Sequence, residues 1–234
     1  TQSFASKDAA GIGLSTLQVN TGYTIVDGTN VDMSGNYAVT TQTATGTISK
    51  ANLSKVTASK VYDGLSTVTA AQVTAIEGVN NETFTASAGT ATISNKNVAI
   101  SNKTLTDLSG LTLVGGSNTM LASNYNLGTG LPAAGSNNDV TISQRALTLA
   151  AVTDSKTYDG STSSSGTVTV TNKASTDTVS AAQFFTSKDV AGAAQSTLQV
   201  NTGYTIVDGA SADMSSNYVV ATQTAAGTIS KAKP

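Results

Sequence analysis

Residues Tyr218–Ser230 read YVVATQTAAGTIS, and their pattern indicates the fold class. Small and apolar residues alternate in it with Thr and Ser, which is the period-two pattern of a half-buried β-strand. The stretches YTIV at Tyr204 and LTLAAV at Leu147 have the same character, and turn signals such as Val207–Gly209 separate such runs. The pattern predicts an all-β protein of tandem antiparallel β-sandwich (Ig-like) domains in an elongated array, with β-grasp-like units as the alternative.

The composition excludes several classes of chemistry. The 234 residues contain no Cys, no His and no Trp, and 11% of them are charged, with a net charge of −2. Without Cys there is no thiolate, and without His the usual catalytic triads and zinc sites cannot form. A basic face for nucleic acid is missing, and no apolar run approaches the roughly 20 residues that cross a bilayer. We therefore expect no catalysis, no cofactor, no nucleic acid partner and no membrane span.

The chain is built from repeated units. Residues Gln2–Ala51 recur without a gap at Gln183–Ala232, and the string TISKA at Thr47 returns in diverged form as TISQRA at Thr141. A unit of this size suits an independently folding domain better than a solenoid rung. The predicted segments are a half-unit, which is the second half of a truncated repeat, and two complete repeats, the first unit and the second unit: 1–50, 51–143 and 144–234.

The unmatched half-unit has two explanations. The chain is a fragment of a longer array, or half-units exchange or add strands between neighbours, as in β-augmentation. The fragment explanation is favoured, and strand exchange between neighbours is the alternative.

A short motif marks each complete unit. KVYDG at Lys60–Gly64 returns as KTYDG at Lys156–Gly160. Adjacent residues on a strand point to opposite faces, so Tyr and Asp do not converge as an acid–base pair, whereas Asp-Gly between apolar runs is a strong turn signal. We therefore predict that each copy ends a strand with a packed Tyr and a turn. These structural residues are Tyr62, Asp63, Gly64, Tyr158, Asp159 and Gly160.

One metal hypothesis competes with the turn interpretation elsewhere. Carboxylate and amide oxygens in and after two other Asp-Gly pairs could surround a calcium ion, although no Glu completes the ligand set. The turn interpretation is favoured and calcium is the alternative. The candidate ligands are Asp27, Asp32 and Asn36 in the half-unit and Asp208, Asp213 and Asn217 in the second unit.

The ordered motifs resemble a known family. SKVYDG after a strand, the segment ADMSSNY at Ala212–Tyr218 and a strand closing on TISKA at Thr228 resemble the tandem YDG-type repeats of large secreted surface proteins. These repeats occur among filamentous-haemagglutinin-like adhesins of Gram-negative bacteria and are related to MBG repeats. The resemblance implies a stalk or spacer role on the bacterial cell surface and no activity.

The expected function is therefore structural. The low charge and the many Thr and Ser residues also favour an extracellular bacterial β-protein. We expect neighbouring repeats of the same polypeptide as partners, with like molecules in a fibre or biofilm matrix as a further possibility. The alternatives are a self-assembling fibre subunit that uses strand complementation, and a glycan- or ice-binding module with the Thr row at residues 41–47 as its ice face.

Overall fold

The computed structural model describes residues 1–117 and 119–233. In this part of the chain the regular elements are β-strands and single turns of 3₁₀ helix, so the all-β prediction is confirmed. Within the same residues, no helix has the length and apolar character needed to span a bilayer. The 3₁₀ turns lie at Ser34–Asn36, Ala70–Gln72, Val79–Asn81, Ala122–Asn124 and Ser215–Asn217.

The half-unit forms one antiparallel sheet. Its strands are β1 (Gln2–Phe4), β2 (Ser15–Val19) and β3 (Ala44–Gly46). The central strand β2 pairs with β1 on one side and with β3 on the other. Strand β3 therefore lies at an edge of this sheet.

The first unit divides its strands among several small sheets. One sheet has the order β12-β5-β7, a second has the order β10-β8-β6 with β9 also on β8, and β11 pairs with β4. The strands are β4 (Ala51–Asn52), β5 (Lys55–Val61), β6 (Thr67–Thr69), β7 (Val73–Glu77), β8 (Phe84–Ile93), β9 (Leu105–Asp107), β10 (Leu111–Gly115), β11 (Tyr125–Asn126) and β12 (Asn138–Ser143).

The second unit repeats this plan. Its sheets have the orders β15-β13-β20, β14-β21-β18-β17 and β16-β19. The strands are β13 (Arg145–Ala150), β14 (Ser155–Thr157), β15 (Thr169–Thr171), β16 (Asp177–Ser180), β17 (Gln183–Phe185), β18 (Ser196–Val200), β19 (Thr205–Asp208), β20 (Tyr218–Gln223) and β21 (Ala225–Ser230). All these pairings stay within one of the three predicted segments, whose boundaries remain a prediction.

Some strand pairs are parallel, which the antiparallel prediction did not include. In each complete unit the first two strands pair in parallel with the last two, as β4 with β11 and β5 with β12, or β13 with β20 and β14 with β21. The chain passes through the whole unit before it returns, and such long connections permit parallel pairing. Alternation along one strand carries no information about the direction of its partner. The β-grasp-like alternative shares this parallel pairing, but the described residues contain no α-helix to cover the sheet.

A comparison of the half-unit with the second unit shows which side chains these parallel pairs bury. Phe185 is 0% exposed and Tyr218 is 4% exposed, whereas their counterparts Phe4 and Tyr37 in the half-unit are 39% and 60% exposed. The sequences around them are nearly the same, but the half-unit contains no counterpart of β13 and β14. These two strands, which come from the first half of a unit, therefore close the core of its second half.

Candidate functional site: the joint between the repeat units

The YDG motif of the first unit forms a clamped turn directly after β5. Gly64 has a φ of +82°, and the Asp63 carboxylate accepts a hydrogen bond of 2.9 Å from the backbone N–H of Leu65. The side chain of Lys60 is fully buried, and its Nζ donates to Asp63 Oδ1 and to the carbonyls of Leu65 and Thr67 at 2.7 Å each. Lys60 thus belongs to the turn that the sequence assigned to Tyr, Asp and Gly alone.

The second copy has the same turn. Gly160 has a φ of +80°, Asp159 Oδ1 accepts a hydrogen bond from the N–H of Ser161, and Lys156 Nζ lies 2.8 Å from Asp159 Oδ1. The hydrogen bond from Lys156 and those from Ser161 lower the pKa of the Asp159 carboxyl to about 2. The geometry in both copies is that of a structural turn. The packed tyrosine predicted for each copy is found only in the first, because Tyr158 is 38% exposed.

The side chain of Tyr62, the tyrosine of the first motif, contacts the second unit. Tyr62 is 0% exposed and donates its hydroxyl proton to Asp177 Oδ2 of the second unit at 3.0 Å. Tyr218 donates to the same oxygen at 2.7 Å, and the two rings meet edge to face with centroids 5.4 Å apart. Burial and the hydrogen bond to Asp177 raise the pKa of Tyr218 to about 12 and that of Tyr62 further. The two phenols are therefore held neutral against a shared carboxylate.

Two further contacts fix Tyr62 at this place. The backbone carbonyl of Tyr62 accepts a hydrogen bond of 3.4 Å from Arg145 Nη1. A Cβ at Gly64 would overlap Thr176 Oγ1 of the second unit, whereas a Cβ at Gly160 would meet nothing within 4 Å. The glycine of the first motif thus serves both the turn and the close approach of the second unit.

A second group of contacts lies beside the tyrosines. Asn217 Oδ1 accepts a hydrogen bond of 2.7 Å from the N–H of Val98, and Asn217 Nδ2 donates to Asn97 Oδ1 at 3.1 Å. Lys96 Nζ forms an ion pair with Asp208 Oδ2 at 3.1 Å. We call the whole contact region the central joint. It consists of Tyr62–Gly64, Lys96–Val98, Arg145, Thr176, Asp177, Asp208, Asn217 and Tyr218.

The half-unit contacts the first unit in the same way. Asn124 Oδ1 accepts a hydrogen bond of 2.8 Å from the N–H of Ala9, and Asn124 Nδ2 donates to Asp8 Oδ1 at 2.9 Å. Lys7 Nζ lies 3.6 Å from Glu82 Oε1, and Tyr125 donates to Glu82 Oε2 at 2.7 Å. We call this region the N-terminal joint. Its repetition of the Asn217 pattern indicates a standard way for one unit to hold the next.

The calcium candidates of the second unit are engaged by protein donors. Asp208 Oδ1 accepts from the N–H groups of Ala210 and Ala212, and its Oδ2 faces Lys96. The hydrogen bond from Lys96 and these backbone donors lower the pKa of Asp208. Asn217 belongs to the central joint, and Asp213 accepts from the N–H of a neighbouring serine.

The candidates of the half-unit have similar local partners. Asp27 Oδ1 accepts from Thr29 and from the N–H of Val31, which lowers its pKa, and Asp32 Oδ1 accepts from the N–H of Ser34. Asn36 Nδ2 points to the sulfur of a methionine. Over residues 1–117 and 119–233, no three side chains of the types His, Cys, Asp and Glu cluster as a metal site. Calcium binding and the expectation of no cofactor both stay predictions.

The fold and its joints define a class of protein, namely a tandem array of small all-β units that are coupled by motif residues. A family model described as the YDG domain matches residues 47–133 and 143–225. These matches cover most of the chain, which therefore belongs to the YDG domain family, a family of non-catalytic binding or structural domains. No curated protein and no solved structure matches the chain.

Proposed function

We propose that this chain is a stalk or spacer segment of an exported bacterial adhesin or surface matrix protein, in which YDG units hold one another in a fixed relation. The observation that carries the proposal is the buried bond from Tyr62 to Asp177, which joins two consecutive units. A polar group that leaves water is stabilised only where its partner is held in place, so such a bond favours one geometry of the joint.

The connection between the two units supports the same conclusion. Strand β12 ends at Ser143 and β13 begins at Arg145, so Gln144 alone connects them. Its Nε2 donates to the carbonyls of Ser216 at 3.0 Å and Tyr218 at 3.3 Å. A connection of one residue that is itself hydrogen-bonded cannot act as a flexible linker.

Small-angle X-ray scattering tests this role. A spacer requires an elongated particle, and the double variant Tyr62→Phe/Asp177→Asn should broaden the distribution of interatomic distances because the central joint loses the buried bond between residues 62 and 177. A compact particle for the wild-type chain would overturn the proposal. Secretion and the position on the surface of a Gram-negative cell are part of the proposal and require localisation of the parent protein in its own cells.

A fibre subunit is the second candidate function. The exposure of Phe4 and Tyr37 in the half-unit favours it, because a neighbouring molecule could cover this surface. Analytical ultracentrifugation over a range of concentrations separates the two roles, since a spacer segment stays monomeric and a fibre subunit polymerises. Binding to glycans or ice stays a prediction that a glycan array and a thermal hysteresis measurement would test.

A further inference from the structure

We propose that the half-unit and the first unit together form a binding site for an extended strand of the type SKxYDG, with a socket for its tyrosine side chain. The occupant is a first half of a YDG unit that is not already paired with a second half. This inference concerns the N-terminal joint alone, so it does not depend on whether the chain serves as a stalk.

The socket is a cavity of about 250 Å³ in the N-terminal joint. Four of its lining residues are the counterparts of the groups that surround Tyr62 in the central joint. There, Tyr62 contacts Ser143, Arg145, Asp177 and Tyr218. The corresponding residues of the cavity are Ser49, Ala51, Glu82 and Tyr125.

The hydrogen-bond acceptor of the socket is already in place. The Tyr125 hydroxyl donates to Glu82 and accepts from the N–H of Val79 at 3.0 Å, just as the Tyr218 hydroxyl donates to Asp177 and accepts from the N–H of Ala174 at 2.9 Å. In the central joint the carboxylate accepts a second phenol, that of Tyr62. Glu82 is therefore positioned to accept a phenol in the same manner.

A groove for the backbone of the strand leads to this socket. A second cavity of about 450 Å³ runs along Thr47–Lys50 and shares Ala9, Ile48 and Ser49 with the socket. In the complete units the counterparts of this segment pair in parallel with the strand of the SKxYDG motif, as Ser59 does with Thr141. Strand β3 and the residues that follow it thus offer an edge to a parallel strand.

The aromatic ring beside Tyr125 determines whether the incoming tyrosine contributes mainly through its ring or through its hydroxyl. Phe84 of the first unit already packs against Tyr125, with ring centroids 5.2 Å apart and an interplanar angle of 72°. The incoming ring therefore adds little to the stacking on Tyr125. Its specific contribution is the hydroxyl bond to Glu82.

A second copy of this chain is a poorer occupant. Both of its SKxYDG strands are already paired within their own units, β5 with β12 and β14 with β21. Donation would require one of these pairs to open. An unpaired first half has no such cost, which is why we commit to it.

Fluorescence anisotropy with labelled peptides tests the site on the full chain. The probe has the sequence of residues 144–163, QRALTLAAVTDSKTYDGSTS, and the control peptide carries Tyr158→Phe. We expect saturable binding of the probe and about ten-fold weaker binding of the control, because the control lacks the hydroxyl that bonds to a carboxylate. The variant Glu82→Gln should weaken the binding of the probe to a similar degree and leave the binding of the control peptide unchanged.

The exposed Glu77 provides a matched control on the protein. It pairs with Lys55 at 3.3 Å outside the cavity, so Glu77→Gln should bind the probe like the wild type. Circular dichroism of each variant confirms that it is folded. The inference is overturned if the probe does not bind, if the Phe peptide binds equally well, if Glu77→Gln weakens binding as much as Glu82→Gln does, or if the chain alone self-associates through this surface.

Discussion

Tyr62 of the first unit and Asp177 of the second unit, 115 positions apart in the chain, share a buried hydrogen bond of 3.0 Å. The tyrosine belongs to the motif that recurs in each complete unit, and the carboxylate also holds Tyr218. The motif therefore has two roles, a turn within its own unit and an attachment to the next one. Its second copy, around Tyr158, presents the same side chains at a half-exposed site and serves as an internal control.

Alanine variants of the two motif glycines distinguish the energetic cost of disturbing the turn from the cost of disturbing the contact between the units. Gly64→Ala and Gly160→Ala both place a Cβ at a φ near +80°, which costs about 1–2 kcal/mol. Only Gly64→Ala also overlaps Thr176, which adds about 1–3 kcal/mol of crowding. Urea unfolding should therefore show a larger loss of stability for Gly64→Ala. Equal losses would mean that the close approach to Thr176 has no energetic weight.

The two motif lysines should also differ. In Lys60→Met the carbonyls of Leu65 and Thr67 lose a buried partner together with Asp63, and the free energy of unfolding should fall by about 3 kcal/mol. Lys156 also donates to two carbonyls, those of Ser161 and Ser163, but its side chain is 14% exposed and its carboxylate partner is half exposed, so Lys156→Met should cost less. The same denaturation assay measures both. A large loss of stability for Lys156→Met but not for Lys60→Met would contradict the assignment of Lys60 as the residue that holds its turn more strongly.

Alkaline pH should weaken the joint. The pKa of Tyr218 is raised to about 12 and that of Tyr62 further, so the folded chain keeps protons that the unfolded chain loses above about pH 10. The stabilisation that comes from these two phenols is thus fully present below about pH 10. Above that pH the free energy of unfolding falls, by up to about 1.4 kcal/mol per pH unit for each tyrosine. We expect a shallower fall for Tyr218→Phe in unfolding experiments across this range. An identical slope would refute the shared-carboxylate model.

Calcium should have little effect on stability. The oxygens of Asp27 and Asp208 accept bonds from backbone N–H groups, and Lys96 pairs with Asp208. The melting temperatures in excess calcium and in excess chelator should agree within about 1 °C, since only a ligand that binds the folded state shifts them. A rise of several degrees that Asp213→Asn removes would establish the calcium alternative instead.

Part of this architecture was predictable from the sequence. Alternation in Tyr218–Ser230 predicted extended structure, although the stretch folds as two strands, β20 and β21, in different sheets. The recurrence of Asp63 and Gly64 predicted the turns, because turns and strands depend on neighbours in the chain. The parallel pairing of β5 with β12 was not predictable, since no local pattern records the direction of a distant strand.

The contacts of the central joint could not be predicted from the sequence. Asp177 stands in a stretch without a motif, and its contact with Tyr62 depends on how two units meet. An Asn-Tyr pair stands at Asn36–Tyr37, Asn124–Tyr125 and Asn217–Tyr218, but its recurrence in the sequence does not indicate which residues it contacts. The same limit explains why Asn217 became a calcium candidate, although it binds Val98 across the joint.

A double-mutant cycle on Tyr62 and Asp177 measures the attachment between the two units. Urea unfolding is measured for the wild type, Tyr62→Phe, Asp177→Asn and the double variant, and the same cycle with Tyr158→Phe in place of Tyr62→Phe provides the control. The attachment model predicts a coupling energy of at least about 1 kcal/mol for the first pair and about zero for the second. A coupling near zero for Tyr62 and Asp177 would contradict the claim that the YDG tyrosine holds one unit to the next.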